Sequence, residues 1–373
     1  MALQKTFEHL LQRADIKING PRPWDINMHN PRTYRRVLMH GSLGLGESYM
    51  NGWWDSAALD EFFERLLRGN IDASRFNLLG KAALYFTQRF FNLQSIRRAF
   101  IVGEKHYDIG NDLYEAMLDS RLTYTCGYWK NAKNLEEAQE HKLRLTCEKL
   151  GLKPGMRVLD IGCGWGSFAI FAAKEYGVSV VGVTVSKEQI ALGQKRAGDL
   201  QVELRLLDYR AVPKEYGKTF DRVVSLGMFE HVGTKNYSEY FSMVDSVLKD
   251  DGLFLLHTIG TNDRYSGPDP WVNKYIFPNG ILPTLLQVAG GAQGHFIMED
   301  WHNFGSDYDK TLMAWYHNVE KAWDSLGTHY DERFRRMWRY YLLMCAGAFR
   351  ARHIQLWQIV FSRGARGGYV SVR

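Results

Sequence analysis

Three glycines at alternate positions close a short apolar run that carries a single acid: Val158-Leu159-Asp160-Ile161-Gly162-Cys163-Gly164-Trp165-Gly166. Glycine at this spacing lets the backbone approach a ligand closely and tolerates positive φ. A dinucleotide fingerprint reads G-x-G-x-x-G and seats a phosphate on a helix N-terminus. Here the spacing is G-x-G-x-G, and Asp160 stands two positions before it. A carboxylate there repels phosphate and suits a ligand's amino group. A tight turn with only a structural role is the competing reading.

The elements around this loop repeat strand, turn and helix. Strands are predicted at Arg157–Ile161, Val178–Val183, Val202–Leu207, Phe220–Leu226 and Leu253–Thr258, with helices over Phe168–Glu175, Ser186–Ala197 and Tyr237–Leu248. This alternation predicts an α/β fold with a parallel sheet covered by helices on both faces. Ligands in such sheets bind beyond the carboxyl ends of the strands, so the loops there should hold the site. Glu230 and His257 each follow or end a predicted strand on that edge. The bland alternative has Glu230 capping a helix and His257 satisfied within the sheet. The first hundred residues read instead as short helices, with apolar positions of Ala57–Leu67 at helical spacing. Residues 1–100 are therefore expected to form a mainly helical accessory domain, and 101–373 the catalytic one.

With 45% apolar and 24% charged residues the chain has the composition of a soluble globular protein. No apolar run approaches the roughly 20 residues needed to cross a bilayer, and the first residues lack the pattern of a signal peptide. Cys126, Cys147, Cys163 and Cys345 show neither zinc-type spacing nor a disulfide pattern, so a reducing cytoplasm is expected and no metal. Charge is unevenly spread: residues 1–100 carry +5, residues 101–332 carry −8, and residues 333–373 hold nine arginines and no acid. Basic ends suggest an anionic partner surface. No nucleic-acid-binding module is recognisable, which leaves an anionic membrane as partner, against the plainer alternative of a solvated basic face. Arg75 to Val102, with five basic residues and no acid, reads as a helix that lies in a lipid headgroup region or packs on the main domain.

The glycine loop resembles the cofactor motif of S-adenosylmethionine-dependent methyltransferases, which implies a Rossmann-like class I fold. Asp208, in Leu207-Asp208-Tyr209-Arg210, is placed to accept from an adenine amino group. Where that pattern expects an acid on the ribose, this chain has Thr184-Val185-Ser186-Lys187-Glu188-Gln189, a polar contact instead, although Ser186 with Gln189 also fits a capping box. Five further segments together resemble the cyclopropane-fatty-acid synthase family: His106-Tyr107-Asp108-Ile109-Gly110-Asn111, Leu122-Thr123-Tyr124-Thr125-Cys126-Gly127-Tyr128-Trp129, Met228-Phe229-Glu230-His231-Val232-Gly233, Leu256-His257-Thr258-Ile259-Gly260 and Tyr275-Ile276-Phe277-Pro278-Asn279-Gly280. The N-terminal hundred residues resemble the accessory domain of the bacterial phospholipid-modifying members, which mycolic-acid-modifying relatives lack.

The resemblance implies transfer of a methylene group from S-adenosylmethionine to cis double bonds of unsaturated phospholipids. Cofactor contacts would come from Tyr124, Thr125, Val158 through Gly166, Thr184 through Gln189, Asp208, Tyr209 and Arg210. An alkene is a poor nucleophile, so positioning must supply much of the catalysis, up to about 7–11 kcal/mol. A base must then take a proton from the added methyl before the ring closes. Related enzymes hold bicarbonate for this step, and the matching positions are Cys126, Glu230, His257 and Tyr308, with the Ile259 backbone nearby. Cys345 matches a cysteine often marked as the active-site residue, yet Tyr341–Phe349 reads as a buried helix and direct methyl transfer gives a nucleophilic cysteine no step. The resemblance also implies a homodimer on the inner face of the cell membrane. Two alternatives stand beside it: a methyltransferase acting on a small amine or hydroxyl, and a non-catalytic lipid-binding protein on the same fold.

Overall fold

The computed structural model describes residues 2–71, 110–263, 267–327, 330–364 and 368–373. The basic stretch Arg75 to Val102 and the segment His106 to Ile109 lie outside these. Two compact units make up the chain. One gathers the described residues of Met1–Asn92, Gly267–Asn279 and Tyr308–Ile354; the other those of Leu93–Ser266, Gly280–Asp307 and Gln355–Arg373. The division is not the single cut near residue 100 expected from sequence, because two later segments join the N-terminal one. Among the described residues no helix is long and apolar enough to cross a membrane.

The second unit is built on a seven-stranded sheet. Its strands are β1 (Arg157–Ile161), β2 (Ser179–Thr184), β3 (Val202–Leu206), β4 (Phe220–Leu226), β5 (Leu248–Gly260), β6 (Ile297–Asn303) and β7 (Gln355–Ser362). They lie in the order β3-β2-β1-β4-β5-β7-β6. β1 to β5 are parallel, as the alternation predicts. β7 runs antiparallel between β5 and β6, so the sheet is mixed and not wholly parallel. Both faces are buried, which is why the central strands read as near-continuous apolar runs. Leu159, Ile161, Phe254, Leu256 and Phe361 pack on one face with Phe241; Val158, Val180, Val224, Leu255 and Val360 pack on the other with Leu143, Cys147 and Phe168. Side chains alternate along a strand, so Asp160 and His257 share the face of Val158 and Leu255, under helix Leu135–Lys149. Strand order reverses between β1 and β4, and the crevice at that switch point is the expected ligand position.

The first unit is mainly helical, with a two-residue antiparallel ladder between Asn27–Met28 and Trp54–Asp55. Its later segments are held to its N-terminal ones by close contacts. Gly347 of helix Glu332–Arg350 lies so near Asp60 that a Cβ would sit 2.5 Å from the Asp60 carbonyl oxygen, and one at Gly46 would meet Trp271 at 2.3 Å. Glu47 accepts from Lys274 (2.6 Å), from the Tyr275 hydroxyl (2.8 Å) and from the Arg36 guanidinium.

The arginine-rich C-terminal stretch is not a free basic face. Arg335 and Arg339 pair with Glu320, Arg336 with Asp55, and Arg350 with Asp60 and Asp309. In the other unit Arg363 pairs with Asp245 and Arg373 with Asp300. Six of the nine arginines are thus matched internally, and the suggested anionic surface gains little from them.

Candidate active site

All three loop glycines adopt positive φ: Gly162 at 83°, Gly164 at 55° and Gly166 at 80°. Their surroundings differ. A Cβ at Gly162 would lie 2.7 Å from Met228 Cβ, and one at Gly166 3.3 Å from Leu204 Cδ1. At Gly164 nothing lies within 4 Å, so this glycine offers the open approach. The loop is fixed from behind, where Gly162 N–H and Cys163 N–H both donate to the Val183 carbonyl at 2.9 and 3.1 Å. Trp165, 2% exposed, donates its indole N–H to Asn111 Oδ1 at 3.2 Å. Its ring meets Tyr114, which in turn meets Tyr124, at centroid distances of 5.0 and 5.2 Å.

Asp160, just before the loop, is 1% exposed, and among the described residues neither of its carboxyl oxygens has a hydrogen-bond partner. Burial pushes its pKa up to about 7, opposed by the charge of Lys142. Buried carboxylates are nearly always partnered, so this one is matched to a cationic donor that the described residues do not supply. The amino group of a methionine moiety meets that need, and the open Gly164 gives it room. S-adenosylmethionine therefore fits the residues present.

Other expected contacts have visible structural tasks. Ser186 caps helix Lys187–Ala197, its Oγ accepting from Gln189 N–H at 3.3 Å, and the Thr184 hydroxyl donates to Gln189 Oε1 at 2.8 Å. The capping function inferred from sequence is thus present. Val185 is half-buried, while Lys187 and Glu188 face solvent in the first turn. Asp208 accepts from Arg210 through its backbone N–H (3.0 Å), Nε (2.8 Å) and Nη2 (2.9 Å), so both of its oxygens are engaged, and adenine would compete for a carboxylate already in use. Tyr209 is buried against Tyr240, with its hydroxyl unpartnered among the described residues.

Cys126, Glu230, His257 and Ile259 belong to the same unit. Glu230 follows β4 and is 7% exposed. Its Oε1 accepts from Ile259 N–H at 2.6 Å, while Oε2 has no partner among the described residues. Burial raises its pKa to about 7 against the opposing effect of that N–H. Ile259 thus serves Glu230; its carbonyl accepts from the Thr258 hydroxyl at 3.0 Å, so the backbone expected to meet an anion is already committed. His257, 1% exposed, has no partner on either ring nitrogen among the described residues. Burial, reinforced by Lys142 and Lys149, holds its pKa well below the usual range, so the ring is neutral. The Cys126 thiol is fully buried and donates to Gly127 O at 3.1 Å.

Tyr308 and Cys345 lie in the other unit. The Tyr308 ring packs on Phe349 and Trp315 at 4.6 and 6.0 Å. Cys345 sits within helix Glu332–Arg350, and burial, with Asp269 as a second cause, pushes its thiol up to about 12. A thiol held that high carries almost no thiolate at neutral pH. Sequence inspection overlooked Lys142, which is fully buried on helix Leu135–Lys149 and donates to Thr125 Oγ1 at 2.8 Å. The signal was available: Gln139, Lys142, Thr146 and Lys149 share one helical face with Leu135 and Leu145 close by.

A seven-stranded sheet in this order, with an acid before a glycine-rich turn at the switch point, defines the Rossmann-like class of S-adenosylmethionine-dependent methyltransferases. The fold is shared with coclaurine N-methyltransferase, at a TM-score of 0.70 and 21% identity over 85% of this chain and 98% of that one. Residues 94–359 match the mycolic acid cyclopropane synthetase family, and the chain belongs to it. It is 56% identical to the cyclopropane-fatty-acyl-phospholipid synthase of Escherichia coli (strain K12) over 359 residues, 96% of this chain and 93% of that relative. It is also similar to mycolic acid cyclopropane synthase CmaA1 complexed with SAH and CTAB, with TM-score 0.64 and 31% identity over 70% of this chain and 97% of that one.

Proposed function

We propose that the protein converts cis double bonds of unsaturated phospholipid acyl chains into cyclopropane rings, using S-adenosylmethionine. When bound, the cofactor supplies the one-carbon unit. Asp160 would receive its amino group, Gly164 would give it room, and Tyr124 and Thr125 would help to hold it. The observation that carries the reading is the buried pair of titratable groups on the carboxyl edge, Glu230 and His257, whose Oε2, Nδ1 and Nε2 lack partners among the described residues. A methyl transfer to an amine or hydroxyl needs no base for a methyl proton; ring closure does.

Cys126, Glu230 and His257 would hold the bicarbonate implied by the resemblance, an ion that supplies a base when bound. Neutral His257 donates or accepts without a net charge of its own. Glu230, with Oε1 fixed by Ile259, presents Oε2 as the atom that orients the ion or takes up the proton. A carboxyl with pKa about 7 exchanges protons efficiently near neutral pH. Phe304 packs on the His257 ring at a centroid distance of 5.8 Å, and apolar packing of this kind would keep water from a cationic acyl chain.

The same proposal places the protein at the inner face of the cell membrane, on an anionic surface, as a homodimer. A bilayer substrate supports the first point, as do the exposed Leu285 (42%) and Leu286 (83%); the homodimer rests on the resemblance. The test is to incubate vesicles of unsaturated phospholipid with the protein and S-adenosylmethionine and weigh the lipids. Acyl chains heavier by one methylene support the reading, and unchanged lipids oppose it.

A further inference from the structure

Helix Leu135–Lys149 lays Gln139, Lys142, Thr146 and Lys149 along one fully buried face. Side chains three and four residues apart share a helix face, but four polar ones in an interior need partners. Three have them. Gln139 Nε2 donates to Thr125 O at 2.7 Å, Thr146 Oγ1 accepts from Gln358 at 3.1 Å, and Lys149 pairs with Asp300 at 3.3 Å.

Lys142 is different. Among the described residues its ammonium makes one side-chain hydrogen bond, to Thr125 Oγ1 at 2.8 Å, and no ion pair. Burial lowers its pKa to about 8, and the acids whose charges oppose this include Asp119 and Asp160. Asp119 already accepts from Thr123 N–H (2.8 Å) and Arg121 N–H (3.3 Å). Asp160 accepts from none of the described residues. Thr125 itself is half-buried and packs over the turn after β4, where a Cβ on Gly227 would lie 2.8 Å from its methyl. Because Lys142 donates to the Thr125 oxygen, the hydroxyl proton is directed away from the helix, as a donor.

We propose that Lys142 is a positioning residue for the amino-acid end of the cofactor, acting through Thr125. The amino-acid end of S-adenosylmethionine is a zwitterion. Asp160 offers a negative charge for its ammonium; Thr125, backed by the Lys142 charge, offers a donor for its carboxylate. The inference rests on the cofactor assignment above and adds the group that recognises the second charge.

Calorimetry with two nucleosides tests it: S-adenosylhomocysteine, which carries the amino-acid end, and 5′-methylthioadenosine, which lacks it. In Lys142→Met, affinity for S-adenosylhomocysteine should fall about ten- to a hundredfold, the range for a lost hydrogen bond to a charged group, with 5′-methylthioadenosine affinity unchanged. Thr125→Val should show the same selective loss, Thr125→Ser should not, and the losses of Lys142→Met and Thr125→Val should be less than additive because one acts through the other. Equal loss for both nucleosides, additive losses, or no loss would overturn the proposal. Should Lys142→Met fail to fold, the contrast between Thr125→Val and Thr125→Ser decides alone. Wild-type protein that binds neither nucleoside would remove the cofactor assignment and this inference with it.

Discussion

Replacing Glu230 by Gln keeps the shape and the acceptor for Ile259 N–H but removes the charge at Oε2. Its effect on stability should depend on pH in a calculable way. The carboxyl is raised from 4.5 to about 7 in the folded chain, so ionised Glu230 disfavours folding by at most about 3 kcal/mol. The folded pKa lies above the unfolded one. The penalty is therefore absent below pH 4.5, grows from there to about pH 7, and is constant above. Gln carries no such penalty, but its amide points at the unpartnered position and costs about 1–3 kcal/mol at every pH. The mutant should melt below wild type at pH 5 and level with it or above at pH 8. On the same preparations, turnover per folded molecule should fall by about 10²–10⁴, the usual loss for a general base, while S-adenosylhomocysteine affinity barely moves. Melts across this pH range, paired with turnover, decide the matter. A melting difference that is flat with pH contradicts the buried, raised carboxyl, and near-normal turnover makes Glu230 a structural residue.

The loop glycines should separate packing from binding. Gly162→Ala drives a Cβ onto Met228 and should lower the melting temperature clearly, whereas Gly164→Ala faces open space and should lose cofactor affinity at least tenfold with only the modest destabilisation of a positive φ; the reverse order would show the loop is oriented otherwise. Cys345, its thiol pushed up to about 12, should label slowly with iodoacetamide at pH 8, and Cys345→Ser should keep most of its turnover. Collapse of turnover in a folded Cys345→Ser protein would restore a chemical role.

Strands that follow the local apolar pattern were legible. β1 and β4 fall where the sequence puts them, and β2 and β3 differ by one residue at their ends. β5 starts earlier than expected, at Leu248, and runs through Asp250, Asp251 and Gly252, with a register shift between Phe220 and Arg222 opposite. β6 reads as polar, with Glu299, Asp300, His302 and Asn303, and β7 is hidden in the arginine-rich tail although all eight of its residues are buried. Only their pairing with each other and with β5 makes them strands. The arginines misled for the same reason, since Asp55, Asp60, Asp245 and Asp300 are remote in sequence. At the site, the glycine loop and Asp160 were local and could be read. Lys142 sits among Glu136, Glu137, Glu140, His141 and Arg144 and looks like one more solvated charge until the helix face is known to be buried.

Ring formation leaves an isotopic signature in the transferred carbon. Vesicles of cis-unsaturated and of fully saturated phospholipid are incubated separately with the protein and S-adenosylmethionine deuterated throughout its methyl group, and the acyl chains are analysed by mass and proton resonance. Ring closure removes one hydron from the transferred methyl, so the account predicts a cyclopropane on the unsaturated chains that has lost one of its three labels, and no change in the saturated ones. A methyl-branched alkene that retains every label, or label found in a headgroup amine or hydroxyl, would contradict it.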